Sequence, residues 1–253
     1  MLKIFTIAHY EYKMQWTRIA TWGVLLAGMA VALLDNFPSA QNLARLEFLS
    51  RADYFIARIM GLDGLFLMFG AVFLLSNRIT IDQKTGMSPL IMASPITKAQ
   101  YLCGKLLGGF LLAYPLLALL LALNTTLYFL AAPFKPELIS CLVPLVKTLV
   151  VCGLPVSIFI SFTSICLPAI MDVRLFYLLA AILFIVNAAT VGTAGPMPFY
   201  MITSGDLLKL IWQHPQWPFV NAGSMEANLC FLVGCGGLGC FGLLFNRHFW
   251  RKP

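Results

Sequence analysis

Long apolar runs separated by short polar segments make up most of the chain. Six runs stand out, at residues 16–34, 56–75, 106–132, 142–167, 175–191 and 229–245. A bilayer core about 30 Å thick needs about 17–25 helical residues to cross it, and each run supplies enough. The pattern therefore predicts an all-α membrane protein with six transmembrane helices in one domain, residues 1–253.

The composition agrees with a membrane location. Of the 253 residues, 60% are hydrophobic and 11% are charged, whereas soluble domains carry about 45–50% apolar and about 25% charged residues. So little charge cannot cover a soluble globule, which excludes a soluble enzyme and a nucleic-acid-binding protein. The seven cysteines show no zinc or haem spacing, so no metal site is expected.

The basic residues predict the orientation of the chain. Cytoplasmic segments of membrane proteins carry an excess of Lys and Arg. If the N-terminus is inside, eleven of the 17 basic residues lie on the inner side: Lys3, Lys13, Arg18, Arg78, Lys84, Lys98, Lys105, Arg174, Arg247, Arg251 and Lys252. We therefore expect a multi-pass protein of the cytoplasmic (inner) membrane with both termini in the cytoplasm. The run 16–34 is expected to stay as a span and not to be cleaved as a signal peptide.

Two segments outside the runs have apolar character of their own. Phe5, Ala8, Tyr12 and Trp16 recur at near-helical spacing, which predicts an amphipathic helix over 1–15 on the inner membrane surface. A plain extension of the first span is the alternative. The aromatic segment 192–228 is too long for a simple connection and predicts a re-entrant or interfacial hairpin in the outer leaflet, or else a small folded loop.

The segment 85–98 between the second and third runs predicts a short helix in water. Ser88 before Pro89 is a favourable helix start, and Pro95 stops the helix after about two turns. This helix would present Leu90, Ile91 and Met92. Exposed apolar side chains on such a helix indicate a docking surface, although the helix could instead lie on the membrane.

The stretch 82–107 also resembles the loop before the third span in ABC-transporter permeases of the second exporter class. That family has an acidic residue, Gly-Thr-x-Glu, apolar residues, small-small-Pro, a basic residue, and apolar-Gly-Lys at the start of the span. The residues that match in order and spacing are Gly86, Leu90, Ile91, Met92, Ser94, Pro95, Lys98, Gly104 and Lys105. Met87 and Pro89 stand where the family has Thr and Glu.

The resemblance implies the membrane subunit of an ATP-driven exporter, paired with a second permease copy or homologue. Each permease would dock on an ATP-binding cassette subunit through Gly86, Met87, Pro89, Leu90, Ile91, Met92, Pro95 and Lys98. The chain itself has no catalytic site and binds no cofactor. Ala99 and Leu106 replace the residues that a phosphate-binding loop around Gly104 would need, so ATP and Mg belong to the partner.

Charges and small residues inside the runs predict further contacts. Asp63 and Lys147 lie at similar depths, about 10 Å and 8 Å from the outer ends of their runs at about 1.5 Å per residue, so we expect them to pair. Arg58 or a water-filled vestibule is the alternative for Asp63. The small residues Gly23, Ala27, Gly28 and Ala32 predict a dimer contact along the first span.

The spans contain few polar residues among many Leu and Phe. This favours a hydrophobic or amphipathic cargo, such as a peptide, an antibiotic or a lipid. Two other functions remain open from the sequence: an ion-coupled secondary transporter, and a membrane scaffold or sensor that transports nothing.

Overall fold

The computed structural model describes residues 2–45, 47–190 and 222–245, and every regular element within these ranges is helical. The α-helices are α1 Leu2–Trp16, α2 Ile19–Asp35, α3 Ala40–Arg45, α4 Ala52–Arg58, α5 Gly64–Leu75, α6 Arg78–Lys84, α7 Met87–Ala93, α8 Lys98–Ala131, α9 Leu138–Thr148, α10 Leu154–Cys166, α11 Val173–Thr190 and α12 Ala222–Phe245. Short 3₁₀ turns span Glu47–Ser50 and Leu167–Ala169. The prediction of an all-α chain is confirmed for these residues.

Each of the six apolar runs is helical, but their lengths differ. Three helices are long and apolar enough to cross a membrane: Ala52–Asp82, Lys98–Ala131 and Leu138–Ala169. A fourth arises if α1 and α2, which meet at a bend of 64°, count as one span. The apolar parts of α11 and α12, Val173–Ala189 and Leu229–Phe245, are shorter. Such helices indicate a membrane protein with three or four clear candidate spans, and the predicted number of six is not confirmed.

Two of the three long helices contain a π-helical turn. One turn covers Ile59–Asp63 and the other covers Leu149–Gly153. The amide of Gly64 bonds to the carbonyl of Ile59, five residues back. A π-turn holds one residue more than an α-turn, so the two halves of each helix present different faces. Accordingly α4 packs on α9, whereas α5 packs on α2, α8, α10 and α11.

The core is organised around α8. Its neighbours are α1, α2, α5, α9, α10 and α12, while α12 also packs along α10. Leu112, Leu116 and Leu120 of α8 are fully buried, at the four-residue spacing that forms one helical face. A helix this apolar on all sides belongs in the centre of a bundle.

The N-terminal helix α1 packs on the bundle through one face and leaves part of the predicted apolar stripe exposed. Its buried residues are Ala8, Glu11 and Gln15, whereas Phe5 is 63% exposed and Tyr12 is also exposed. Of the predicted stripe, Phe5 and Tyr12 are therefore exposed, whereas Ala8 is buried and Trp16 is half-buried against the core. The helix packs through a face that carries polar side chains.

Close approach to α8 explains this orientation of α1. Gly104 and Gly108 of α8 lie directly against it, and a Cβ on Gly108 would sit 3.2 Å from the carbonyl oxygen of Ala8. Small residues spaced four apart let two helix backbones approach closely. The Gly104–Gly108 pair therefore serves packing within one chain.

The small residues of α2 divide between two faces, which corrects the predicted dimer stripe. Gly28 and Ala32 are buried within the chain, and a Cβ on Gly28 would lie 3.3 Å from the side chain of Leu67. Gly23 and Ala27 are exposed. Residues 28 and 32 cannot line a dimer contact because α5 and α8 already cover that face.

The predicted re-entrant segment 192–228 lies outside the described residues, except that the backbone of α12 begins at Ala222. The start of the last helix is therefore earlier than the predicted residue 229. Short links of four residues, 36–39, and of six residues, 132–137, join α2 to α3 and α8 to α9.

Candidate functional site

The loop between α5 and α8 contains the predicted short helix, and its start differs from the prediction. The helix α7 begins at Met87, and Gly86 is its N-cap with a φ of 72°. Glycine adopts this left-handed backbone conformation without steric cost because it has no Cβ. Ser88 is therefore not the cap, and Pro89 is the third residue of the helix. Proline fits there because the first four amides of a helix have no internal partner.

The exposed apolar face of α7 consists of Met87 and Leu90. Leu90 is 66% exposed and Met87 is 49% exposed. Ile91 is half-buried and packs against the hydrophobic core together with Ile96. The predicted docking set is thus divided: Ile91 anchors the helix on the core, whereas Met87 and Leu90 are exposed. The side chains of Pro89 and Met92 lie outside the described residues.

Two lysines attach this loop to distant helices. Lys3 of α1 donates from its Nζ to the carbonyl oxygen of Pro95, and Lys98 donates to the carbonyl oxygen of Leu244 in α12 at 2.7 Å. At the loop's end, Thr97 caps α8 by accepting from the amide of Gln100 at 3.2 Å. The loop is therefore connected to α1, α8 and α12 within a few residues of α7.

Behind the loop lies a cluster of three charged side chains, which we call the Lys105 cluster: Glu11, Asp82 and Lys105. The Nζ of Lys105 contacts the carboxylate of Glu11 and lies 2.7 Å from Oδ2 of Asp82. The hydroxyl of Tyr101 donates to the same Asp82 oxygen. Lys105 is only 5% exposed, and a charge buried to this degree needs such partners. The cluster joins α1, α6 and α8.

The sequence analysis used Lys105 as an orientation signal and did not pair it with Glu11. Ninety-four residues separate the two in the chain, so no local spacing relates them. One signal in the sequence could have suggested the pair, because a charged residue stands beside apolar positions in each segment. These residues are Glu11 in segment 1–15 and Lys105 directly before the third run. Buried Arg78 adjoins this region and donates from Nε to the carbonyl of Leu74 at 3.3 Å.

A second polar network lies at the other end of the bundle, and it corrects the predicted Asp63–Lys147 pair. Asp63 is fully buried, and its Oδ2 accepts a hydrogen bond from Nδ2 of Asn36 at 2.6 Å. Lys147 is exposed. The prediction paired Asp63 and Lys147 because they lie at similar depths. Depth along a span does not determine which neighbouring helix a side chain faces. The π-turn that ends at Asp63 directs its carboxylate towards α2.

Asn36 extends the network to the surface. Its Oδ1 accepts from Nε of Arg58 at 2.9 Å, and Arg58 also contacts Asp35 at 3.2 Å. Asp35 binds Arg45 as well, at 2.7 Å. Arg58 therefore reaches Asp63 through an intervening amide. Oδ1 of Asp63 has no hydrogen-bond partner among the described residues.

Comparison of the chain with protein-family models, with curated proteins and with solved structures finds no match. Within the described ranges, no group of three or more His, Cys, Asp or Glu side chains could hold a metal ion. The structural features that bear on function are therefore α7, the Lys105 cluster and the polar network around Asp63.

Proposed function

We propose that the chain is the membrane-spanning permease subunit of an ATP-driven exporter, and that a separate subunit binds ATP and Mg. The observation that supports this most is α7. It is a seven-residue helix between two long apolar helices, with exposed Met87 and Leu90 on one side and half-buried Ile91 on the other. This arrangement suits a helix that seats in a groove of a soluble partner, as in the permeases whose loop the sequence resembles.

The connections of α7 supply a route for movement. Lys3 links the loop to α1, Lys98 links it to α12, and the Lys105 cluster holds α1, α6 and α8 together. When two ATP-binding subunits close, a push on α7 would move these helices as a group. Packed elements respond to such a push by rigid-body shifts. The helices around α8 would then open a path outward.

The finer topology is part of this proposal. Six spans, with α7 and both termini in the cytoplasm, agree with the basic residues, since Lys3, Arg78 and Lys105 then lie on the inner side. The shorter helices α2, α11 and α12 have 17, 18 and 24 residues. At about 1.5 Å per residue they are about 26, 27 and 36 Å long, and their residue counts lie within the usual range of about 17–25 for a helix that crosses a core about 30 Å thick, with the first two at its lower end.

Assembly and cargo complete the proposal. A second permease copy would pack on the exposed face of α2 that carries Gly23 and Ala27, where small residues permit close contact. The cargo would be hydrophobic or amphipathic, because the spans contain few polar residues among many Leu and Phe.

The experiment tests docking at the exposed face of α7. The tagged chain is purified from membranes, and the ATPase activity that copurifies is measured together with cargo export. Leu90→Asp and Met87→Asp should each reduce both while the chain still inserts. Ala99→Asp is the control, because Ala99 is exposed at the first turn of α8, where an acidic residue is tolerated. Normal copurification and export in both α7 variants would show that the docking assignment is wrong.

The Asp63 network favours a second candidate, an ion-coupled secondary transporter. Ionisable residues within a span often mark ion pathways. Asp63 is fully buried, and its Oδ1 accepts no hydrogen bond from the described residues. Transport by purified chain in liposomes separates the candidates. Transport driven by a proton or Na⁺ gradient without ATP, and lost in Asp63→Asn, would favour the carrier over the exporter subunit.

A further inference from the structure

A cavity of about 470 Å³ lies among α5, α10, α11 and α12, away from both polar networks. Its walls include Phe69 of α5, Phe159 of α10, Phe176 and Leu183 of α11, and Cys235 of α12. This volume is within the range of small-molecule binding pockets, about 300–1,000 Å³. Neither the loop contacts nor the proposed docking surface uses it.

The lining selects against water and polar ligands. Among the 15 described residues that line the cavity, Thr163 carries the one hydroxyl group and no residue is charged. That hydroxyl already donates to the carbonyl of Phe159 at 2.6 Å. A buried water needs about two to four polar partners, and the cavity does not supply them. An apolar occupant would therefore supply the van der Waals contacts that the walls lack when the cavity is empty.

The cavity opens sideways, between α11 and α12. Leu179, Phe231 and Leu238 line it and are 46%, 48% and 72% exposed. Next to this opening, Leu178 and Ile182 of α11 are also exposed apolar residues. In a membrane, such a continuous apolar surface faces lipid tails, which are as apolar as leucine. The opening therefore connects the cavity with the acyl region of the bilayer.

One end of the cavity lies at a polar boundary. Phe176 lines the cavity, and the next residue, Tyr177, has its hydroxyl 2.5 Å from Oγ of Ser76 and accepts from Asn77 at 3.0 Å. Tyrosine with its ring among apolar groups and its hydroxyl among polar ones is typical of the membrane interface. The apolar space therefore begins near headgroup level and runs towards the membrane interior, as the tail of a lipid does.

We propose that this cavity binds one acyl chain of a bilayer phospholipid, which enters between α11 and α12. The shape, the lining, the lateral opening and the polar boundary at Tyr177 each fit that occupant. The proposal requires only that the chain lies in a membrane. It is independent of the ATP-binding partner and of the cargo, so it stands or falls separately from the proposed function.

The test uses photocrosslinking in purified protein. The full chain is reconstituted in nanodiscs of phosphatidylcholine that carries a diazirine in one acyl chain, and crosslinked residues are identified by mass spectrometry. Crosslinks should concentrate on the cavity lining. Ala180→Phe, which fills the cavity from α11, should lower their yield about tenfold, since the added ring takes the space of the chain. Ala189→Phe, on the exposed face of the same helix, should leave the yield unchanged.

A second pair of variants repeats the test from the opposite wall, in case Ala180→Phe fails to fold. Gly239 lines the cavity, whereas a Cβ on Gly237 meets nothing within 4 Å. Gly239→Phe should therefore reduce crosslinking and Gly237→Phe should not. The proposal is overturned if the lipid crosslinks spread evenly over the exposed helix faces, or if both filled variants crosslink to the lipid as the unchanged protein does. It is also overturned if a thiol-reactive crosslinker shows that Cys235 lies against residues 192–221 or against a second copy.

Discussion

Removal of the charge at Lys105 should destabilise the protein more than any other single change in the loop region. Lys105→Met keeps much of the side-chain length and deletes the ammonium group, which leaves Glu11 and Asp82 without the cation that contacts both carboxylates. Lys105 is 5% exposed, and the side chains of Glu11 and Asp82 are 9% and 20% exposed, so water screens the two carboxylates little. Breaking a buried ion pair in this way costs about 3–5 kcal/mol.

The measurement is thermal unfolding of the purified chain in detergent. For a protein of this size, 1 kcal/mol corresponds to about 2–4 °C in Tm, so Lys105→Met should lower Tm by roughly 6–20 °C. Lys84→Met is the matched control, because Lys84 lies on α6 beside the same loop and is exposed. It should shift Tm by no more than a degree or two, as expected for a change of surface charge.

A combined variant separates charge from packing. Glu11→Gln, Asp82→Asn and Lys105→Met together remove all three charges, and replacement of a whole buried ionic group by neutral residues is often nearly neutral. The triple variant should therefore recover most of the lost Tm. If Lys105→Met behaves like Lys84→Met, the cluster does not stabilise the fold. If the triple variant stays as unstable as Lys105→Met, the loss came from packing and the electrostatic reasoning is refuted.

Three further predictions concern other contacts. Asn36→Ala removes the partner of buried Asp63 and should cost about 1–3 kcal/mol in urea unfolding; an unchanged midpoint would show that the amide is dispensable. Gly108→Leu should detach α1 from α8, because even a Cβ is crowded there, and protease digestion should then cleave α1 faster; equal cleavage would contradict the packing. Gly23→Cys should form disulfide-linked dimers under mild oxidation, whereas Gly28→Cys, which is buried within the chain, should not; the reverse result would exclude the proposed dimer face.

The existence of the helices could be predicted from the sequence, because the signal is simple. Each apolar run must satisfy its own backbone hydrogen bonds away from water, and a helix does this within one segment. The run 106–132 accordingly ends one residue beyond α8, Lys98–Ala131, and the run 142–167 lies within Leu138–Ala169. The short helix near 85–98 was also predicted, but its N-cap is Gly86 and not Ser88, because Gly86 adopts a left-handed conformation. The helix therefore begins at Met87 and not at Pro89.

The direction of each side chain could not be predicted in the same way. In a membrane protein, the faces towards lipid and towards the core are both apolar, so hydropathy does not distinguish Gly23, which is exposed, from Gly28, which is buried. Likewise, depth along a span does not tell which neighbour a charge meets. Asp63 accordingly accepts a hydrogen bond from Asn36, which lies 27 residues earlier in the chain. The prediction had paired it with Lys147, which lies at a similar depth.

The two π-turns have a consequence for how the sequence tolerates insertions and deletions. Each turn, Ile59–Asp63 and Leu149–Gly153, contains one residue beyond what an α-helix needs. Deletion of a residue there would convert the turn to an α-turn and leave the helix on both sides in its present orientation. The same deletion in the middle of α8, which has no such turn, would rotate all later side chains by about 100°. Single-residue length differences in the second and fourth apolar runs are therefore expected to occur at these turns, and α8 is expected to keep its length.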